Sequence, residues 1–76
     1  MKLHLGGQFS FYIPGHPPQV EVPLEKPARL VEVLEGLGIP VAEINLVIVN
    51  GEIVNMGDAL VSQQDEVKLY PPISGG

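Results

Sequence analysis

The chain has no cysteine and no tryptophan among its 76 residues. Disulfides, thiolate metal sites and a cysteine nucleophile are thereby excluded. Any thiol chemistry has to come from a partner or from a group attached to the chain. Basic side chains are almost as scarce: Lys2, Lys26, Arg29 and Lys68 face nine acidic residues, and the formal net charge is −5. This argues against nucleic acid, whose phosphates call for clustered Lys and Arg, and against an anionic membrane surface. It suits solubility, or a basic patch on a protein partner. No apolar run approaches the length of a membrane span. Leu3 and Leu5 alternate with Lys2 and His4 where a signal peptide would be continuously apolar, so a cytoplasmic location is expected. His4 and His16 form no ligand-spaced pair, and no metal site is expected.

Apolar residues make up 45% of the sequence, enough for a single compact core in a chain of this length. Residues Lys2 to Leu5 alternate as a half-buried strand does, and Gly6-Gly7 interrupts them. An aromatic stretch, Phe9-Ser10-Phe11-Tyr12-Ile13, leads into the breaker cluster Pro14-Gly15-His16-Pro17-Pro18. How far residues 7–13 continue the first strand is left open by the pattern. Gln19 to Leu24 alternates again, and Pro23 predicts an edge position, where a missing amide donor is tolerated. The period then changes. Pro27 suits a first helical turn. Leu30, Val33, Leu34 and Leu37 share one stripe, with Arg29, Glu32 and Glu35 outside it. Gly38 is a natural cap and Pro40 prevents continuation, so a helix is expected over about 27–37.

Ile44 to Val49 is nearly all apolar and β-branched, which predicts a buried central strand. Asn50-Gly51 signals a tight hairpin and Glu52-Ile53-Val54 the returning strand. Met56-Gly57-Asp58 is a turn, after which Asp58 is placed to cap a short helical turn over Ala59, Leu60 and Val61. Glu66 to Tyr70 is the last strand, with Val67 and Leu69 on one side and Lys68 and Tyr70 on the other. The order strand, strand, helix, strand, strand, strand predicts an α+β fold. One main helix packs on one face of a mixed sheet of about five strands, and the first and last strands are free to pair in parallel. The domain spans residues 1–70.

Residues 71–76 are different in kind. Pro71 and Pro72 stiffen the chain and supply no amide donors. Ile73 and Ser74 lead to Gly75-Gly76, whose lack of side chains admits it to a narrow channel that any β-carbon would block. The reactive group at the tip is the α-carboxylate of Gly76. A frayed terminus produces the same two glycines. What separates the two readings is the context of a final strand followed by a Pro-Pro arm.

Three blocks carry a resemblance to a known family: Leu46-Val47-Ile48-Val49-Asn50-Gly51, then Asp65-Glu66-Val67, then Pro71-Pro72-Ile73-Ser74-Gly75-Gly76. The chain resembles the β-grasp, ubiquitin-like sulfur carriers, and its Pro-Pro approach looks most like the molybdopterin synthase small subunit. The thiamine-pathway sulfur carrier is a relative. Gln63-Gln64-Asp65 departs from the family's Asp-Gly-Asp, and the stretch from Phe9 to Ile13 is more aromatic than is usual there.

The resemblance implies that the chain is not itself an enzyme and binds no cofactor. An E1-like adenylyltransferase consumes ATP to activate the Gly76 carboxylate. A sulfur donor protein converts the acyl-adenylate to a thiocarboxylate, and an acceptor such as the molybdopterin synthase large subunit takes the sulfur. Gly75, Ser74, Ile73, Pro72 and Pro71 give the carboxylate its access. Partner contacts are expected on the sheet face that the helix leaves open, with Tyr70, Leu60, Val47 and Val49 as candidates; for Leu60 the core is the favoured reading. Thiamine or another thiolated product, conjugation to lysines, and a non-covalent binding module are the alternatives.

Overall fold

Alternation in the first residues does what its period demands. Lys2–Leu5 forms β1, which buries Leu3 and Leu5 and leaves Lys2 and His4 on the other face. The computed structural model describes residues 1–72. After β1 comes a 3₁₀ helix, Gly7–Tyr12, then β2 (Gln19–Glu21), β3 (Ala28–Arg29) and α1 (Leu30–Gly36). A second 3₁₀ helix, Val41–Glu43, leads to β4 (Leu46–Val49), β5 (Glu52–Val54), β6 (Leu60–Val61) and β7 (Glu66–Tyr70). The main sheet has the order β2-β1-β7-β4-β5, and β3 with β6 forms a second, two-stranded sheet. The first and last strands pair in parallel as expected, Leu3 opposite Val67 and Leu5 opposite Leu69. The remaining neighbours are antiparallel. This is the expected α+β architecture of a mixed five-stranded sheet and one main helix.

The helix begins later than its sequence suggests. Ala28 and Arg29 are extended and pair with Val61 and Leu60. The Leu30 amide, which has no partner inside a helix, donates to the Ala59 carbonyl at 3.0 Å. That tertiary bond fixes the first turn, so Pro27 lies outside it. The C-terminus follows the expectation. Gly38 has φ +82°, its amide bonds Glu35 O at 3.0 Å, and the next amide, of Ile39, bonds Leu34 O at 3.1 Å. Both crossings are those of a Schellman cap. Leu30 and Leu34 are fully buried against Leu3, Val67, Leu69 and Val47.

Two further expectations are corrected. The central strand is β7, not the one containing Ile44 to Val49, because parallel pairing with β1 puts β7 in the middle. On β4 only Val47 is buried. The segment after Asp58 is not a helical turn: Leu60–Val61 is a strand, held by β3. Residues 7–12, whose continuation of the first strand was open, form the 3₁₀ helix instead, and Phe9 is its buried residue.

The Asn50-Gly51 hairpin forms with both residues at positive φ, +51° and +86°, as a tight two-residue turn between right-twisted strands demands. Asn50 does more than turn. Its Nδ2 donates to Asp65 Oδ1 at 3.0 Å, and its Oδ1 accepts from the Glu66 amide at 2.9 Å. Two of the sequence blocks that carry the family resemblance therefore meet here. The Asn50 hydrogen bond, then that from the Ser62 amide, hold the Asp65 carboxyl below its usual range. A depressed carboxylate contributes stability above its unfolded pKa and loses it as pH falls through the folded one. The wild type should lose thermal stability on acidification from about pH 5 toward pH 2, and Asp65→Asn should lose less over that interval. Melting curves at stepped pH check this; equal slopes for the two proteins would remove Asp65 from the account.

A candidate interaction face and arm root

The open face of the sheet is divided by its register. Direct cross-strand partners lie on the same side. Ile53, Ile48 and Lys68 therefore share one row with His4, and Leu46 sits opposite Tyr70. One half of the face is thus apolar, made of Leu46, Ile48, Ile53 and Tyr70. Ile53 is 72% and Tyr70 39% exposed. Beyond Lys68 the face is polar. There His4 Nε2 lies 2.8 Å from Glu66 Oε2, a contact that holds the Glu66 carboxyl below its usual range.

The apolar half adjoins the point where the chain leaves the sheet. Gly7, Asn45, Leu46, Ile48, Tyr70, Pro71 and Pro72 line an open groove of about 540 Å³. The last carbonyls of β7 are both occupied: Gly6 N–H donates to Leu69 O at 3.0 Å and Asn45 N–H to Tyr70 O at 2.9 Å. Pro71 brings no donor of its own. The end of β7 is therefore clamped from both sides, and an arm that starts with two prolines starts from a fixed root.

Of the predicted site residues, Tyr70, Pro71 and Pro72 come together here. Ile73, Ser74, Gly75 and Gly76 lie outside the described residues. Val47 is buried at 3% exposure and cannot meet a partner. Val49, paired opposite Val67, shares Val47's core side. The face uses the other alternating set of β4, Leu46 and Ile48, because antiparallel register aligns Val47 and Val49 with the core residues of β7. Leu60 is not core: it is 67% exposed on β6, where Val61 takes the buried position. It belongs to the second sheet and does not line the groove.

Reasoning on the sequence alone missed Leu46, Ile48, Ile53, Asn45 and the pair Gly6-Gly7. Two signals were there: the glycines interrupt β1, and the stretch from Ile44 to Val49 is apolar on both sides. The aromatic stretch is split by the structure. Phe9 is buried and Phe11 exposed, with its ring 5.0 Å from that of His16 in an edge contact. The Tyr12 hydroxyl donates to Glu43 at 3.1 Å. That bond, first, raises the Tyr12 pKa from its ordinary value.

The parallel pairing of first and last strands, the helix across one face and the arm leaving the middle strand define a ubiquitin-like protein of the β-grasp class. The Mut7-C ubiquitin family matches residues 9–74, and the chain belongs to it. That bears out the resemblance to ubiquitin-like sulfur carriers at the level of the family. No curated protein matches the chain. Among the described residues, no helix is long and apolar enough to cross a membrane.

Proposed function

We propose that the chain is a sulfur carrier whose Gly76 carboxylate is the group activated, loaded and discharged. The observation that carries this reading is the clamped end of β7. A central strand held on both sides passes straight into Pro71-Pro72, beside an apolar face that suits a protein partner. A carboxylate is a poor acyl donor because oxide would have to leave. Attack of a Gly76 carboxylate oxygen on the α-phosphorus of ATP, with loss of pyrophosphate, supplies AMP as a leaving group. A persulfide sulfur of the donor protein then adds to the acyl carbon and expels AMP. A second thiol cleaves the resulting acyl disulfide, which frees the thiocarboxylate and leaves a disulfide on the donor.

The loaded sulfur is a nucleophile that needs no cysteine, in keeping with a chain that has none. Its attack on an electrophilic carbon of the acceptor's substrate gives a thioester, and hydrolysis returns the Gly76 carboxylate. The chain supplies the carboxylate and the recognition surface. The E1-like adenylyltransferase and the acceptor supply the catalysis, and no cofactor is held by the carrier. The Pro-Pro approach favours the molybdopterin synthase large subunit as acceptor, where the sulfur enters the pterin dithiolene that binds molybdenum or tungsten. A thiamine-type acceptor is the second reading, supported by the same Gly-Gly terminus.

The test is the intact mass of the protein isolated from its source and after incubation with activating enzyme, ATP and sulfur donor. The C-terminal peptide should end at Gly76 and gain the mass difference between sulfur and oxygen. Offering the loaded protein to each acceptor in turn then assigns the pathway. A chain that stays unmodified, or one whose Gly76 is found in isopeptide linkage to lysines, would overturn the carrier reading.

A further inference from the structure

We propose that Gly6-Gly7 is a seat that sets the direction in which the C-terminal arm leaves the sheet, and so controls delivery of the terminal carboxylate to the activating enzyme. The inference rests on the carrier reading for its function, and on the structure alone for its geometry.

Gly6 has φ −72° and ψ 154°, a conformation open to any residue. Backbone freedom does not account for a glycine there. Close approach does: a β-carbon on Gly6 would lie 2.5 Å from the Leu69 carbonyl oxygen and 3.2 Å from Tyr70 Cδ1. Gly7 combines both requirements. Its φ is +56°, and a β-carbon on it would lie 2.7 Å from Pro71 Cγ and 3.1 Å from Cδ. The turn from β1 into the 3₁₀ helix is thus pressed against the last residues of β7 and the first proline of the arm.

The consequence is directional. Leu69 O is held by the Gly6 amide and Tyr70 O by the Asn45 amide. The proline ring fixes φ at Pro71, and that ring rests on Gly7. Each torsion up to Pro71 is therefore set by a neighbour or by the ring itself. A side chain at residue 7 would move the Pro71 ring and re-aim everything after it. An error of aim at the root displaces the chain that follows it, and misplacement by about 1 Å at a reacting group can cost about 100-fold in rate.

The test is a double-mutant cycle of Gly7→Ala and Pro71→Ala, with Gly36→Ala as a control, since nothing lies within 4 Å of a β-carbon there. Each protein is assayed for adenylation by an E1-like adenylyltransferase that accepts the wild type, and its melting temperature is recorded. Gly7→Ala should lower kcat about 100-fold and change KM far less, because the apolar side chains of the face, Leu46, Ile48, Ile53 and Tyr70, are all retained. Pro71→Ala should lower kcat less. The double variant should be no worse than Gly7→Ala alone, since truncating Pro71 takes away the ring atoms that the added methyl would displace. Wild-type turnover by Gly7→Ala, or losses that multiply in the double variant, would overturn the proposal.

A second measurement does not depend on activity or on the variants folding. In the wild type, nuclear Overhauser contacts should join the Gly7 α-protons to the ring protons of Pro71, and their absence would remove the seat. If the wild type is adenylated by no such enzyme, the carrier reading fails, while these contacts still decide whether the seat exists.

Discussion

Deleting Gly76 will abolish adenylation and sulfur loading while leaving the melting temperature unchanged. The chemistry proposed above needs one carboxylate at one distance from the fixed root of the arm. Shortening the arm by a residue withdraws that carboxylate by up to about 3.5 Å, the reach of one extended residue. At that displacement the carboxylate no longer meets the α-phosphorus, and the expected loss exceeds the roughly 100-fold cost of a 1 Å error. Stability should be spared because Gly76 lies six residues beyond Tyr70, the last residue of β7. Adding a residue after Gly76 should be equally damaging, since the carboxylate is then carried past its site. Gly75→Ala should impair activation far more than folding. Adenylate formation followed by pyrophosphate release, alongside thermal melts, reads both quantities. Sulfur transfer by the truncated chain would refute the carrier reading outright.

Phe9→Ala is expected to have the largest effect on stability of any single truncation. Phe9 is the largest fully buried side chain and sits in the core with Leu3, Leu34 and Leu69. Removing a buried phenylalanine ring costs about 3–5 kcal/mol, transfer and cavity together. A domain of this size has roughly 4–11 kcal/mol in all, so the variant should be partly unfolded at physiological temperature. Phe9 also holds down the 3₁₀ helix that begins at Gly7, so the arm's seat should loosen with it. Phe11→Ala is the internal comparison: Phe11 is 65% exposed, and the change should stay within about 0.5 kcal/mol. Denaturant titrations of the two variants settle the matter; equal effects would mean that the aromatic segment is not anchored through Phe9.

Elements whose signals are local were legible in the sequence. The Asn50-Gly51 turn needs two residues at positive φ and has the pair that best tolerates it. The stripe of Leu30, Val33, Leu34 and Leu37 announces a helix, and Gly38 ends it where a left-handed residue is required. Alternation over Glu66–Tyr70 gave β7 and its two faces without error. β2 lies at the edge as expected, but it ends at Glu21, short of the expected Leu24, so Pro23 stands outside the strand.

Elements that exist only through a partner were not legible. Ala28–Arg29 and Leu60–Val61 are too short to show a period, and each is a strand because the other is there. Their pairing delays the helix and turns Leu60 outward. The face of β4 was misassigned for the same kind of reason. Its sequence is apolar on both sides, so alternation alone does not say which set is inside. Register with β7 decides it, placing Val47 in the core and Leu46 and Ile48 on the open face.

By itself the sequence determined the class of fold, the hairpin, the helix and the lack of any thiol among the chain's own side chains. All of these follow from side-chain type and short-range spacing. The tertiary structure alone decided which strand is central, which side of β4 lies on the open face and why two glycines follow β1. Those answers depend on how closely segments more than sixty residues apart approach, as Gly6 and Gly7 do with Leu69 and Pro71. Contact at that range is a property of the packed sheet, and no local pattern encodes it.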